Sequence, residues 1–258
     1  MDILYIIGEG CSQCNNNELR YSLRSIEKYG KGVDRVFVVG YCPEWLSNEV
    51  IKIPFKQPHA KKEQNEVEDQ NNLSRKHANI AASLLYAVDN SDIGDEFLVS
   101  MDDHFYIKNV DFDHYPFYCK ICGDDNKFPM EGETQYRKLL TATRRECERD
   151  GLSAYYFCIH RNMHLSRKSI NECRDILEAD IKKPRPLETF GYLINYRYTK
   201  DKDFKIRFTH DCKLLGGCDW WMADPNKTEV ISTADFKEGT GLDCLLNGLF
   251  INKSKYEG

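Results

Sequence analysis

The sequence predicts an α/β fold in which a mainly parallel sheet is flanked by helices. Three observations carry this prediction. Short, continuous apolar runs recur in the first part of the chain and are typical of strands buried on both faces. Segments with apolar residues at helical spacing alternate with these runs, as the connections of a parallel sheet require. Glycines follow several of the elements, as they do at turns. The apolar runs are Asp2–Gly8, Arg35–Val39, Val50–Phe55 and Glu96–Met101.

Two helices are predicted between these strands, at Glu18–Tyr29 and Leu73–Val88. Each carries apolar residues on one face, and the first ends at Gly30, a residue common at helix ends. The polar and charged stretch Lys56–Asn71 predicts a loop. Right-handed crossovers would bring the carboxyl ends of the strands to one edge of the sheet, where ligands bind in such folds.

The second half of the chain predicts a less regular α+β arrangement that shares one core with the first half. Lys183-Pro184-Arg185-Pro186 predicts a break between elements. The tail after Leu249 predicts a terminal strand or turn. The other predicted elements are strands at Tyr115–Cys122, Tyr155–Ile159 and Phe204–Phe208, and helices at Thr134–Asp150 and Ser169–Glu178.

Composition narrows the class of protein. The 258 residues are 41% hydrophobic and 30% charged, an ordinary globular balance, and no apolar run is long enough for a membrane span. The acidic, short apolar N-terminus is not a signal peptide, so we expect a cytoplasmic protein.

Eleven cysteines, an odd number, predict reduced thiols rather than a disulfide framework. Cys11/Cys14 and Cys119/Cys122 have the spacing of a zinc site, but chance spacing is the stronger explanation.

The most informative motif is Asp102-Asp103-His104, which directly follows the apolar run Phe97–Met101. A buried parallel strand would deliver these side chains to the ligand edge of the sheet, where carboxylates are costly unless a cation compensates them. Mg²⁺ and Mn²⁺ prefer carboxylate oxygens, and Mn²⁺ also accepts imidazole. The alternative is a solvated turn or a helix cap.

A strand followed by Asp-x-His resembles the metal motif of the GT-A glycosyltransferases. The resemblance implies a Rossmann-type domain in which residues 1–110 bind a nucleotide-sugar and residues 111–258 bind the acceptor. It implies Mn²⁺ or Mg²⁺ as cofactor, with Asp102, Asp103 and His104 as ligands. His210 would be a further ligand, supplied by the C-terminal half. Which of Asp102 and Asp103 contacts the metal and which the ribose stays open.

The first 110 residues also resemble the Stealth-type sugar-phosphotransferases. The resemblance rests on Glu18–Tyr29, on Val36-Phe37-Val38-Val39 and on Pro43-Glu44-Trp45-Leu46. The Asp-rich first strand of that family is replaced here by Tyr5-Ile6-Ile7-Gly8-Glu9-Gly10, which removes an acid that the phosphotransfer chemistry requires. The resemblance therefore implies the fold and the nucleotide-sugar substrate class.

Several residues are candidates for contacts with the nucleotide-sugar. Ile7, Gly8 and Gly10 follow or end the first strand, and the glycines would let the backbone approach the base and ribose. The alternative is a plain turn, because a Gly-x-Gly is weak evidence by itself. Arg75, Lys76 and Asn79 share one face near a helix N-terminus, which suits phosphate. The alternative is a set of ordinary solvated side chains. Asp102 and Arg161 complete the candidate set.

The C-terminal half offers candidates for acceptor chemistry. In His160-Arg161-Asn162-Met163-His164, a histidine would ligate metal or Arg161 would hold the diphosphate. The alternative is a surface loop, which we favour slightly more for His164. Asp211 and Asp219 are candidate bases, because an inverting transferase needs a group that takes the acceptor proton. Gly216-Gly217 before Asp219, Trp220 and Trp221 suggests a sugar-stacking loop, with a core position for both tryptophans as the alternative.

The sequence therefore predicts a metal-dependent glycosyltransferase with a nucleotide-sugar donor and a hydroxyl acceptor, most simply a carbohydrate. A sugar-1-phosphate transferase and a glycosyltransferase of modified bases in phage DNA are alternatives. Nucleic acid is not the favoured partner, because the net charge is −5 despite basic stretches at Lys52–Lys62 and Arg137–Arg149. A non-catalytic module that binds sugar or nucleotide is less favoured still.

Overall fold

A computed structural model describes residues 1–8, 15–59, 70–201, 204–211, 213–214, 229–233 and 236–258. The strands are β1 (Asp2–Ile7), β2 (Gly30–Lys31), β3 (Val36–Gly40), β4 (Val50–Pro54), β5 (Glu96–Ser100), β6 (His104–Tyr106), β7 (Val110–Asp111), β8 (Phe117–Lys120), β9 (Met163–Ser166), β10 (Ile206–Thr209), β11 (Lys213–Leu214) and β12 (Val230–Thr233). The helices are α1 (Asn17–Tyr29), α2 (Gln70–Asn90), α3 (Gln135–Arg149), α4 (Arg167–Glu172), α5 (Arg174–Lys182), α6 (Thr189–Lys200) and α7 (Gly241–Leu249).

The central sheet has the strand order β4-β3-β1-β5-β9. The first four strands are parallel, and β9 closes the edge in the antiparallel direction. Tyr5 of β1 lies opposite Val38 on one side and Ser100 on the other, so the ends of β1, β3 and β5 share one edge. The predicted mainly parallel sheet flanked by helices is confirmed.

The core occupies both faces of this sheet because successive strand residues point to opposite sides. On one face, Leu4 and Val99 pack with Leu84 of α2 and with residues of α5 and α6. On the other, Tyr5 packs with Leu23 of α1. A strand buried on both faces has no polar side, which explains the continuous apolar runs of the sequence.

The C-terminal half adds two small sheets, β10-β8 and β11-β12-β6. Here one predicted strand is wrong. Tyr155–Ile159 is irregular, because its main chain bonds to the loop around Asn126 and to the side chain of Asn195. The edge strand of the sheet is β9, four residues further on. The helix predicted at Ser169–Glu178 is divided into α4 and α5, which meet at Cys173.

The chain after α7 packs against α1 through Glu257, whose side chain is fully buried. Arg24 donates two hydrogen bonds to this carboxylate, at 2.6 and 2.7 Å, and Arg20 adds a third contact at 3.3 Å. The predicted terminal strand or turn is a turn that ends in an isolated bridge between Leu46 and Glu257. None of the helices in the described part of the chain is long and apolar enough to cross a membrane.

Candidate functional site

The motif Asp102-Asp103-His104 forms a tight turn between β5 and β6 at the ligand edge of the sheet. The His104 N–H donates to the carbonyl of Met101 at 3.2 Å and closes the turn. Ser22 of α1 donates to the His104 carbonyl at 2.8 Å, and its hydroxyl also bonds with the Tyr5 hydroxyl at 2.8 Å. The backbone of the motif is therefore fixed from β1 and α1.

Asp102 is a partly buried carboxyl with an excess of negative charge around it. Its pKa is raised to about 7, chiefly by burial and further by the neighbouring carboxylates of Asp103 and Glu18. Lys76 of α2 acts in the opposite direction, so the structure brings this lysine within electrostatic reach of Asp102. A site of this kind favours the arrival of a cation.

Asp103 faces the small sheet on the other side of the turn. Its Oδ2 accepts a hydrogen bond from Ser232 of β12 at 2.9 Å, and β12 is in register with β6 at His104. The Asp103 side chain is 25% exposed, and its Oδ1 lies 3.9 Å from Nε2 of His104.

His104 is buried, and its ring is held through Nδ1 alone. Nδ1 lies 3.5 Å from the Met101 N–H and 3.4 Å from Oδ1 of Asn162. Nε2 has no hydrogen-bond partner among the described residues and lies 3.9 Å from Asp103. Burial lowers the His104 pKa to about 4, so the ring is neutral at pH 7, which is the form that ligates metals. A buried, unsatisfied ring nitrogen is costly without a ligand.

A complete metal-binding set is not preformed in the described part of the chain. No three side chains of His, Cys, Asp or Glu there converge at ligand distances. His210, the predicted additional ligand, is an exposed residue after β10. The predicted zinc alternative has free thiols at Cys119 and Cys122, and its other pair lies outside the described residues.

A second polar group stands where β8 and β10 end. The ring Nδ1 of His160 lies 2.8 Å from Oδ1 of Asp211, and the His160 main-chain N–H reaches the same oxygen at 3.3 Å. Lys120 donates to the other oxygen, Oδ2, at 3.0 Å. The pKa of His104 responds to the charges of both His160 and Asp211, so this group adjoins the strand-end motif.

Both carboxylate oxygens of Asp211 accept hydrogen bonds from these donors. Burial would raise the Asp211 pKa, but the hydrogen bond from His160 and the Lys120 ammonium outweigh it and hold that pKa well below its usual range. A carboxylate of such low basicity is a poor proton acceptor. The structure therefore brings Asp211 into the site but argues against the predicted role as the base itself.

Arg161 and His164 have different surroundings although they lie three residues apart. The Arg161 guanidinium is buried, 4.5 Å above the ring of Tyr118, and donates to Glu229 at 3.3 Å. His164 belongs to β9, where its Nε2 bonds with the carbonyl of Tyr115 and its ring stacks on Phe117. The surface-loop alternative is wrong for His164, which is part of the core.

The remaining predicted contacts are distributed along two elements. Ile7 is the buried last residue of β1, and Gly8 follows it half-buried. On α2, Arg75 is half-buried and Lys76 exposed. Both polar atoms of the Asn79 side chain bond with the backbone of His59, at 3.0 and 2.8 Å, which anchors the chain that follows β4 to α2. Gly10 and Asp219 lie outside the described residues, as do Gly216, Gly217, Trp220 and Trp221.

One acidic residue near the site was missed from the sequence. Glu188 is buried at the start of α6, where it accepts a hydrogen bond from the Gly191 N–H at 2.5 Å and contacts the Cys158 thiol. Burial raises its pKa, and Lys76, which also acts on Asp102, lowers it. The available signal was the proline-rich break at 183–186, after which an acid is well placed to cap a new helix.

Comparisons with known proteins bear on the fold alone. The sequence matches no known protein family and none of the curated proteins. Two similar solved structures are the galactosyltransferase LgtC in complex with donor and acceptor sugar analogs and an active-site mutant of LgtC. They are 12% and 13% identical to this chain, with a TM-score of 0.50 each, and each comparison covers 99% of this chain and 98% of the other. The chain has the α/β fold of the GT-A glycosyltransferases.

Proposed function

We propose that this protein is a metal-dependent glycosyltransferase that moves a sugar from a nucleoside diphosphate sugar to a hydroxyl group of a carbohydrate acceptor. The observation that carries the proposal is the Asp102-Asp103-His104 turn, where the Asp102 pKa is raised to about 7 and His104 Nε2 lacks a partner among the described residues. Within a GT-A fold, such a turn at the ligand edge suits a donor with a charged diphosphate.

The donor would lie along the edge formed by β1, β5 and α2. Ile7 and Gly8 end β1 next to the turn, and Gly10 belongs to the same predicted nucleotide-binding segment. Lys76 supports this placement because it acts on the charges of both Asp102 and Glu188. With Arg75 on the same helix, it supplies the positive charge that a diphosphate requires.

The metal would be held by Asp102, Asp103 and His104, with His210 as a further ligand. Mn²⁺ suits this donor set better than Mg²⁺, because imidazole is a good ligand for Mn²⁺. When bound, the ion supplies charge neutralisation for the departing nucleoside diphosphate. Such ions are commonly held by one or two carboxylates together with substrate phosphates, so the donor diphosphate would complete the ligand set.

The protein's own residues supply binding and orientation. Arg161 is a candidate for contacts with the donor diphosphate, although it is also paired with Glu229. Asp211 and Asp219 remain the acidic candidates on the acceptor side, with Asp211 held between His160 and Lys120.

The alternative of transfer to DNA bases gains little from the structure. In the predicted basic helix, Arg144 pairs with Asp125 and Glu148, and Arg149 pairs with Glu146. Positive charge that is neutralised on the protein's own surface contributes little to phosphate binding.

A donor screen tests the proposal. Thermal unfolding is measured with each common nucleoside diphosphate sugar, with and without Mn²⁺, and one donor is expected to raise Tm only when the metal is present. Asp103→Ala should abolish that shift, whereas Asp124→Ala, the same change at an exposed residue outside the motif, should preserve it. No metal-dependent shift with any donor would refute the proposal. Release of nucleoside monophosphate instead of diphosphate would favour the sugar-1-phosphate transferase.

A further inference from the structure

Proton transfer needs a group that the metal-binding turn does not provide. An acceptor hydroxyl becomes a good nucleophile when a neighbouring base takes its proton. Asp211 is unsuitable because one of its oxygens accepts from His160 and the other from a lysine ammonium. In enzymes, however, a carboxylate commonly orients a histidine base through a hydrogen bond to one of its ring nitrogens.

His160 has the geometry of such a base. Its Nδ1 is 2.8 Å from Asp211, and its own main-chain N–H bonds to the same oxygen. The Arg161 N–H donates to the carbonyl of Ile159 at 2.7 Å, so the backbone turns sharply at His160 and fixes the base of the side chain. Donation from Nδ1 to a carboxylate selects the tautomer with the lone pair on Nε2.

The position of His160 also fits. Its side chain is 27% exposed and that of Asp211 is 19% exposed, so both side chains are partly accessible from solvent. Its charge acts on His104 in the strand-end turn, so the two histidines lie within electrostatic reach of each other. The two ends of the small sheet β10-β8 deliver Asp211 and Lys120 to hold it there.

We propose that His160, oriented by Asp211, is the catalytic base that takes the proton of the acceptor hydroxyl; this inference rests on the proposed glycosyl transfer. The acceptor O–H proton moves to Nε2 of His160 as the acceptor oxygen bonds to the anomeric carbon. The bond from that carbon to the diphosphate oxygen breaks, and its electron pair leaves with the nucleoside diphosphate. The imidazolium then returns its proton to solvent. Direct displacement of this kind inverts the configuration at the anomeric carbon.

The test uses water, methanol and trifluoroethanol as acceptors, with the donor selected by the screen, so the natural acceptor need not be known. His160→Asn keeps a donor near the Nδ1 position but offers no base, and it should lower transfer to methanol about 100- to 10,000-fold. The donor-dependent Tm shift should persist in this variant. His160→Gln, which places its amide nearer the Nε2 position, serves as the second variant should His160→Asn not fold.

Two readouts separate a base from a merely structural residue. The rate deficit should be smaller with trifluoroethanol than with methanol, because the more acidic hydroxyl depends less on a base. The methyl glycoside should have the anomeric configuration opposite to that of the donor. The matched control His114→Asn, at a surface histidine that is 83% exposed, should transfer at the rate of the unaltered protein.

The outcomes distinguish this inference from the proposed function. If no donor binds, the glycosyltransferase proposal fails and this inference with it. If the donor binds and transfers, three results would each overturn the role of His160 alone: a deficit of less than about threefold in the histidine variants, an equal deficit with both alcohols, or retention of the anomeric configuration.

Discussion

Replacing Asp102 by Asn should stabilise the metal-free protein, and the gain should depend on pH. The pKa of Asp102 is raised from 3.8 to about 7 in the folded protein, chiefly by burial. Between these two values the unfolded chain has released a proton that the folded chain still holds. The free energy of unfolding contributed by this group therefore falls as pH rises from about 4 to 7, and the full cost is present above pH 7.

The magnitude follows from the shift. About three pKa units correspond to an upper limit of roughly 4 kcal/mol, at 1.36 kcal/mol per unit. Asp102 is partly exposed, so solvent screening reduces this value, and we expect a gain of about 1–2 kcal/mol at pH 8. For a chain of this length that corresponds to a rise in Tm of roughly 2–4 °C. At pH 5 the gain should be distinctly smaller.

Urea unfolding of the metal-free protein at pH 5 and pH 8 measures the effect. Asp124→Asn, the same change at an exposed position, should leave the free energy of unfolding within about 0.5 kcal/mol. Added Mn²⁺ should stabilise the unaltered protein and have little effect on Asp102→Asn. A variant that is less stable than the unaltered protein at pH 8, or equally stabilised at both pH values, would refute the electrostatic reasoning.

Three further predictions concern the scaffold. Gly40→Ala should cost about 3 kcal/mol or more in urea unfolding, because φ is +100° and the new Cβ would lie 2.2 Å from the Ile7 carbonyl oxygen; Gly123→Ala, with φ +59° and open space, should cost only about 1 kcal/mol. Glu257→Gln should lower the free energy of unfolding by about 2–3 kcal/mol, because Arg20 and Arg24 lose the buried negative charge with which they pair. An unchanged Tm would contradict this. His164 is buried, and burial lowers its pKa to about 4. The unfolded chain therefore binds a proton that the folded chain does not as pH falls below about 6.5, and the free energy of unfolding decreases. His164→Gln should make urea unfolding between pH 7 and 5 less pH-dependent, and an unaltered slope would count against this.

The front half of the fold was predictable because its strands are buried on both faces. Continuous apolar runs such as Val36–Val39 leave few alternatives once helices of moderate length lie between them. Helix α6 was missed for a related reason. Phe190, Tyr192 and Ile194 are buried around most of its circumference, so it lacks the one-sided pattern that identifies a surface helix.

Tyr155–Ile159 shows the converse error. Five mostly apolar residues predict a strand here, but an apolar pattern indicates burial and carries no information on hydrogen-bond partners. Here the Tyr155 N–H bonds to the Asn195 side chain at 2.7 Å, and the same side chain donates to the Tyr155 carbonyl. A single buried amide therefore takes the place of a neighbouring strand, and no local pattern predicts it.

The candidate site also has one part that the sequence predicts and another part that it does not. Asp102-Asp103-His104 was predictable because a contiguous motif after a buried strand has only one edge of the sheet to occupy. The bond between His160 and Asp211 joins residues 51 positions apart, and it depends on the pairing of β8 with β10. Only the tertiary structure shows that the Asp211 carboxylate is hydrogen-bonded to a histidine and a lysine.

The Asp102-Asp103-His104 turn contains two features that destabilise the folded chain when no ligand is bound. A carboxyl whose pKa is raised to about 7 and a buried histidine nitrogen without a partner among the described residues both destabilise the folded chain. Backbone contacts from Ser22 and a bond from Ser232 nevertheless hold the turn in this conformation. A cation shared with a diphosphate would reverse both costs, because it stabilises the ionised carboxyl and occupies the ring nitrogen. From the proposed function we therefore expect stability to be gained jointly from metal and donor, and this gain to be lost in Asp103→Ala.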